Sequence, residues 1–198
     1  FKKKRIWLKK INISIFECLN CKTGFSECIP KDLSEIYDMD SEIDDKINSH
    51  KKRSNYFLKK FGINRIKFIK NFKKNGDLLD FGCGTGEFVN FAKKYFNVAA
   101  FDFSSKLSKF VENTYKVKTF SKLHKINKKF DVITLYDVLE HVENPIKLLK
   151  DLNSLLKKNG VIIVYTPNKS SLGFDILGSK SNLCTAPFHL TYFNSDTI

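Results

Sequence analysis

From Asp77 to Tyr165 the apolar positions fall into two alternating patterns. Short continuous apolar runs (Asp77–Phe81, Val98–Phe101, Val117–Phe120, Asp131–Tyr136 and Val161–Tyr165) have the length and composition of buried strands. Between them, apolar side chains recur at three- and four-residue spacing. Phe88, Phe91, Ala92 and Tyr95 predict a helix over 87–96, and Leu107, Phe110 and Val111 predict one over 105–115. A third helix starts at Asn144-Pro145, which supply an N-cap and a first helical residue. It carries Ile146, Leu148, Leu149, Leu152, Leu155 and Leu156 and is expected to end at Lys157-Lys158, before Gly160. Strands that are apolar throughout and alternate with helices form a parallel sheet covered on both faces. The fold class is therefore α/β, a doubly wound and mostly parallel sheet.

Upstream, residues 50–73 read as helical, with Tyr56, Phe57 and Phe61 and then Ile66, Ile69 and Phe72 at helical spacing. Gly62 is expected to break this stretch into two helices. Residues 38–48 are acidic and polar and suit a linker or an exposed helix start. Residues 1–37 suggest short strands and turns around Cys18 and Cys21. The expected organisation is a small segment over 1–37, a linker and helical cap over 38–76, and an α/β domain over 77–198.

Composition narrows the class. The chain has 198 residues, 42% hydrophobic and 28% charged, as in a globular protein with a real core. No apolar run approaches the ~20 residues of a membrane span. The basic start lacks an apolar stretch after it, so no signal peptide is read, and it lacks Met, which suggests a fragment. Five cysteines without a secretion signal point to reduced thiols and a cytoplasmic location. The formal charge of +14 raises the question of nucleic acid. However, nearly all of it is Lys, alongside abundant Ile, Asn and Phe, the bias of an AT-rich genome. The lysines are also scattered rather than gathered with aromatics into a stripe.

The strongest motif is Asp80-Phe81-Gly82-Cys83-Gly84-Thr85-Gly86, which joins a strand to a helix N-terminus, where doubly wound sheets bind ligands. A dinucleotide fingerprint would need glycine at 87, which is Glu, and that carboxylate would oppose a pyrophosphate. Asp80 suits a cationic part of a ligand, such as the ammonium of a methionine moiety. Asp102 ends the next strand, where a carboxylate accepts hydrogen bonds from ribose hydroxyls. A plain strand-to-helix turn and a solvated strand-end Asp are the bland alternatives.

Leu78 to Phe88 resembles the first motif of class I S-adenosylmethionine-dependent methyltransferases. Residues 100–104 (Ala-Phe-Asp-Phe-Ser) resemble their second motif, 130–142 their fourth strand, and 155–168 the helix and fifth strand that follow. The nearest subgroup includes ubiquinone-biosynthesis O-methyltransferases and sugar or natural-product methyltransferases, and the segment Phe188 to Ser195 is similar to one found there. The resemblance implies a Rossmann-like methyltransferase fold, whose last two strands, beyond the fifth, this chain is expected to lack. It implies S-adenosyl-L-methionine as cofactor, contacted by Asp80, Gly82, Cys83, Gly84 and Gly86, by Asp102 at the ribose, and by the backbone of Leu135 and Tyr136.

Methyl transfer from a sulfonium needs alignment of nucleophile and methyl, and removal of a proton from the acceptor. His141 is the candidate base, with Glu140 beside it; the bland alternative is that the pair braces the following loop. Asp137, Glu140 and His141 also resemble an acidic–acidic–His set in the quinone O-methyltransferases that suggests a divalent metal. His189 is a candidate at the substrate mouth. Cys18-Leu-Asn-Cys21 is half of a zinc site, which needs four ligands. Cys28 could supply a third ligand, with no clear fourth after it. The segment Phe16 to Phe25, followed by Pro30 and Tyr37, resembles an N-terminal zinc ribbon of this subgroup, whose other CxxC would precede Phe1, so zinc is expected in the full-length protein. The function expected is methyl transfer to a small molecule or sugar, at oxygen or else at carbon or nitrogen. An RNA or protein methyltransferase and a noncatalytic cofactor-binding module are the alternatives.

Overall fold

The computed structural model describes residues 4–10, 13–27, 40–52, 55–181, 184–185 and 188–198. In chain order it has strands β1 (Lys4–Lys10), β2 (Ile13–Cys18) and β3 (Gly24–Ser26), then helices α1 (Asp40–Lys52) and α2 (Asn55–Lys70). The alternating part runs β4 (Asp77–Phe81), α3 (Glu87–Ala92), β5 (Asn97–Phe101), α4 (Ser105–Tyr115), β6 (Lys118–Phe120), β7 (Phe130–Tyr136), α5 (Pro145–Ser154) and β8 (Leu156–Tyr165). It closes with α6 (Leu172–Leu177) and β9 (Thr191–Tyr192). These elements form two compact units.

The larger unit comprises Asp32–Tyr136 and Leu149–Val164. Its five-stranded sheet has the order β6-β5-β4-β7-β8. β4 is central and pairs in parallel with β5 and β7, and β5 pairs in parallel with β6. Leu78, Leu79, Val132 and Ile133 are fully buried because helices cover both faces, which is why these strands read as unbroken apolar runs. Ile66 and Ile69 of α2 join the same core as Phe88, Val89 and Ala92 of α3. The strand order reverses at β4, so the switch-point crevice lies at the C-terminal ends of β4 and its neighbour β7.

Two sequence expectations are corrected here. Gly62 does not break the helix: α2 runs through it without interruption. Its role is closeness, since a Cβ there would lie 2.4 Å from Cγ and Cδ2 of Phe91. The helix after Pro145 ends at Ser154, and Leu156 to Lys158 open β8 instead. Within that strand Asn159 has a left-handed φ of 64°, and a Cβ on Gly160 would lie 2.9 Å from the Phe130 carbonyl.

At the N-terminal end of β4, Asp77 accepts from Lys128 Nζ (2.6 Å), Lys157 Nζ (2.7 Å) and Asn97 Nδ2 (2.6 Å). Lys157 also donates to Asp131 at 2.8 Å. The hydrogen bonds from Lys128 and then Lys157 hold the Asp77 carboxyl down to about 2.

The smaller unit comprises Phe1–Lys31, Asp137–Leu148 and Tyr165–Ile198. Its sheet has the order β1-β2-β3-β9, so residues from the two ends of the chain share it. β3 and β9 pair antiparallel at Gly24–Tyr192 and Phe25–Thr191. Ile15, Phe174, Cys184 and Tyr192 form its buried core. The cap expected before the third helix is present: Asn144 Oδ1 accepts from the Lys147 amide at 2.9 Å.

Candidate active site

The glycine loop is shaped by its own amides. Those of Gly82 and Cys83 both donate to the Phe101 carbonyl, at 2.8 and 2.9 Å, and that of Gly86 donates to Cys83 O at 2.9 Å. The Gly84 amide donates to Asp102 Oδ2 at 2.9 Å. Gly86 caps α3 at φ 78°, against the Tyr115 ring, which a Cβ would approach to 2.6 Å. Gly84 differs: a Cβ there would meet nothing within 4 Å. Gly86 is therefore tightly packed while Gly84 faces open space, so the backbone at 84 is left accessible for close approach.

Asp102 accepts from Gly84 through one oxygen and from the Ser104 amide through the other, at 3.0 Å. A carboxylate oxygen carries two lone pairs and can accept more than one hydrogen bond. Asp80 is buried and accepts from Thr134 Oγ1 at 2.8 Å. Burial pushes its carboxyl up to about 6, the Thr134 bond and the positive charge of Arg65 opposing that rise. Burial also raises the Cys83 thiol well above its ordinary value, and the charge of Asp80 adds to this, so Cys83 stays neutral. Leu135 is fully buried.

Arg65 is the residue that sequence reasoning missed. It projects from α2, with its guanidinium carbon 3.8 Å from the centroid of the Tyr136 ring and 5.8 Å from that of Phe88. The signal was one of composition: only three of the 35 basic residues are Arg, and stacking on an aromatic face is work that Arg does better than Lys. Among the described residues the buried Tyr136 hydroxyl has no hydrogen-bond partner. An open cradle, a buried carboxylate, a stacked guanidinium and an orphaned hydroxyl together fit a polar, charged cofactor such as S-adenosylmethionine.

In the smaller unit a short helical turn, Leu139–His141, places Glu140 and His141, and the segment before β9 adds His189. Ligand-type atoms of these three lie within 4.8 Å of one another, the only such group among the described residues. Asp137, expected with them, is not in the group. It is exposed, its φ is 57°, and its amide donates to Tyr165 O at 2.9 Å. His141 Nδ1 is 2.8 Å from the Phe188 carbonyl, and the His141 and His189 rings meet edge to face at 4.7 Å. Glu140 is buried, which pushes its carboxyl up to about 7, while the bond from Thr166 pulls against this. Glu140 Oε1, 4.0 Å from His141 Nε2, has no hydrogen-bond partner among the described residues.

The sequence profile of the methyltransferase domain family matches residues 52–198. The chain belongs to that family. A ubiquinone biosynthesis O-methyltransferase of Pelagibacter ubique is 36% identical over 135 residues, covering 57% of this chain and 55% of that protein. The chain thus spans little more than half the length of that curated relative. The fold is shared with an S-adenosylmethionine-dependent methyltransferase of Clostridium acetobutylicum (TM-score 0.50, 24% identity, 72% of this chain and 62% of that one). It is also shared with the plantazolicin methyltransferase BpumL in complex with S-adenosylhomocysteine (TM-score 0.56, 20% identity, 76% and 63% of the two chains). The methyltransferase class is that which uses S-adenosylmethionine, as the motifs over 78–104 imply. No helix among the described residues is long and apolar enough to cross a membrane.

The CxxC lies ahead of the matched domain, with Cys18 ending β2 and Cys21 on the turn that follows. Cys18 is buried, Cys21 is exposed, and both are free thiols. Cys18 O accepts from the Lys22 amide at 2.9 Å, with Lys22 at φ 61°. A hydrogen bond to the Thr23 hydroxyl lowers the Cys21 thiol. Among the described residues neither cysteine belongs to a group of three metal-binding side chains. Cys28, Pro30 and Tyr37 lie outside the described residues.

Proposed function

We propose that this methyltransferase domain moves the methyl group of S-adenosylmethionine to a hydroxyl oxygen of a small molecule, with His141 as the base. The observation that carries this reading is the Nδ1 contact of His141 with the Phe188 carbonyl. A carbonyl only accepts, so Nδ1 bears the hydrogen and Nε2 is left with its lone pair. When His141 takes a proton, the buried Glu140 carboxyl, 4.0 Å from Nε2, stabilises the imidazolium. His189 braces the imidazole face and faces the acceptor.

The bound cofactor supplies an electrophilic methyl on a sulfonium. The chain supplies its grip. Asp80 holds the ammonium, Arg65 the carboxylate and Asp102 the ribose, while Gly82, Gly84 and Gly86 let the loop approach and the backbone of Leu135 and Tyr136 lines the site. The name of the Pelagibacter relative supports oxygen as the acceptor atom; a sugar hydroxyl fits the same chemistry. The free thiols among the described residues fit a cytoplasmic setting.

Calorimetric titration with S-adenosylhomocysteine, against NAD and NADP, tests the cofactor half of the reading. Binding of S-adenosylhomocysteine alone, lost in Asp102→Ala, is the expected result. Turnover on a panel of phenols, catechols and sugars tests the other half: His141→Asn should abolish transfer and leave that binding intact. Unimpaired transfer would remove the base assignment.

A second reading is favoured by the orphaned Glu140 Oε1. Two imidazoles and a carboxylate within 4.8 Å are donors suited to zinc or a similar divalent ion, with His189 in the place expected of Asp137. Calorimetry with Zn²⁺ and Co²⁺ on wild type and His189→Ala separates the two: no His189-dependent binding leaves the base reading alone. Zinc at Cys18 and Cys21 remains a proposal for a longer chain that supplies further ligands.

A further inference from the structure

Glu140 is held at both its ends. Its carboxylate Oε2 accepts from Thr166 Oγ1 at 2.8 Å, and its backbone carbonyl accepts from the Leu190 amide at 2.8 Å. Both donors sit on segments pinned to the N-terminal strands, more than a hundred residues away in sequence. Three residues beyond Thr166, Lys169 buries its ammonium against Glu17 of β2, with Nζ 2.7 Å from Oε2 and the side chains 6% and 5% exposed. The Leu190 carbonyl accepts from the Ser26 amide at 2.9 Å, next to the β3–β9 pairing. The Lys169 amide donates to Phe193 O at 2.8 Å and ties the two segments together.

A buried ion pair is a poor source of stability. Desolvation of two charges offsets their attraction, and apolar side chains of similar volume hold a fold as well. What such a pair does enforce is a meeting point, because moving one charge leaves the other buried and uncompensated. The pair here fixes the segment 166–169 against β2.

We infer that Glu17 and Lys169 are positioning residues for the base: they aim the Thr166 hydroxyl at Glu140 and so keep Glu140 Oε1 beside Nε2 of His141. The catalytic meaning of this rests on the reading of His141 as base. The geometric claim does not, because it is tested without turnover.

The test uses the whole chain. In Glu17→Leu/Lys169→Met both charges go and the volume stays. The readouts, taken at one pH, are the carbon NMR signal of the Glu140 carboxyl and hydrogen exchange of the Leu190 amide. The Glu140 signal is expected to move as it does in Thr166→Val, and Leu190 exchange to quicken about tenfold, the scale of a local opening. Melting temperature and S-adenosylhomocysteine binding should stay unchanged. Thr166→Ser, which keeps the hydroxyl, should return the wild-type signal. An unmoved Glu140 signal in the folded double variant overturns the inference and makes the pair structural only. Should that variant not fold, Glu17→Gln/Lys169→Met carries the same test with the same two outcomes. Failure of His141→Asn to stop transfer would undo the base assignment and leave the positional result standing.

Discussion

Gly62→Ala sets two known effects against each other. In a helix interior Ala is favoured over Gly by about 0.8–1.0 kcal/mol, so propensity alone makes the variant more stable. The added methyl, however, would lie 2.4 Å from Cγ and Cδ2 of Phe91 and 3.0 Å from its Cβ. Carbon atoms pack at about 3.5–4.0 Å, so the overlap exceeds an ångström. Rotating the ring does not relieve it, because the overlap reaches the root of the side chain. α2 and α3 must move apart, and overpacking of this kind costs about 1–3 kcal/mol, enough to outweigh the helix gain in most of that range. The net expectation is a loss of up to about 2 kcal/mol, centred on about 1, seen as a lower urea midpoint with unchanged slope, followed by circular dichroism. Removing the obstacle should reverse the sign. In a Phe91→Ala background, Gly62→Ala should stabilise by about 0.8 kcal/mol, so the two changes couple by more than 1 kcal/mol. A Gly62→Ala protein more stable than wild type would refute the packing argument and return Gly62 to a question of propensity.

Gly86→Ala should be worse, because φ of 78° adds a left-handed penalty of about 1–2 kcal/mol to the 2.6 Å approach to Tyr115; a loss of about 2–4 kcal/mol and weaker S-adenosylhomocysteine binding are expected by denaturation and calorimetry. The acid branch of stability should carry the Asp77 network. Its carboxyl falls from 3.8 to about 2 on folding, so its contribution is present above pH ~4 and lost as pH drops through about 2. Unscreened, this shift is worth about 2.5 kcal/mol, and the lysine partners, each 40% exposed, reduce it to about 1 kcal/mol, so Asp77→Asn should cost that much at pH 6 and flatten the profile below pH 4. Asp80, raised to about 6, must be ionised to hold an ammonium, so affinity for S-adenosylhomocysteine should fall as pH drops through about 6 and lose that step in Asp80→Asn. Arg65→Met keeps the stem over Tyr136 and removes the charge; binding should weaken about tenfold with no change in melting temperature, and undiminished affinity would take Arg65 out of the site.

The central strands were legible because a parallel sheet buries both faces, so Leu78, Leu79, Val132 and Ile133 form runs that no helix period interrupts. The loop was legible because its glycines fall in a fixed order against Asp80 and Asp102. Gly62 was misread for a physical reason: propensity is a local property, while the closeness of Phe91 is a fact of packing. Likewise His189, rather than Asp137, completes the group with Glu140 and His141, because the Leu190–Glu140 bond brings the late segment back. That bond joins residues 50 apart in sequence, and no spacing rule records it. β9 is only two residues long and carries no strand signal of its own.

The pairing of β3 with β9 also makes assembly wait on synthesis. Gly24 leaves the ribosome long before its partner Tyr192. At ~5–20 residues per second the interval is roughly ten to thirty seconds, and only its last few follow the emergence of β8, when the parallel sheet can close. Through that interval the outer edge of β3 has its amides and carbonyls unpaired, which is the form in which a strand recruits foreign chains. A nascent chain is therefore exposed to aggregation at β3, and a chaperone that covers residues 13–26 until β9 is made would protect it.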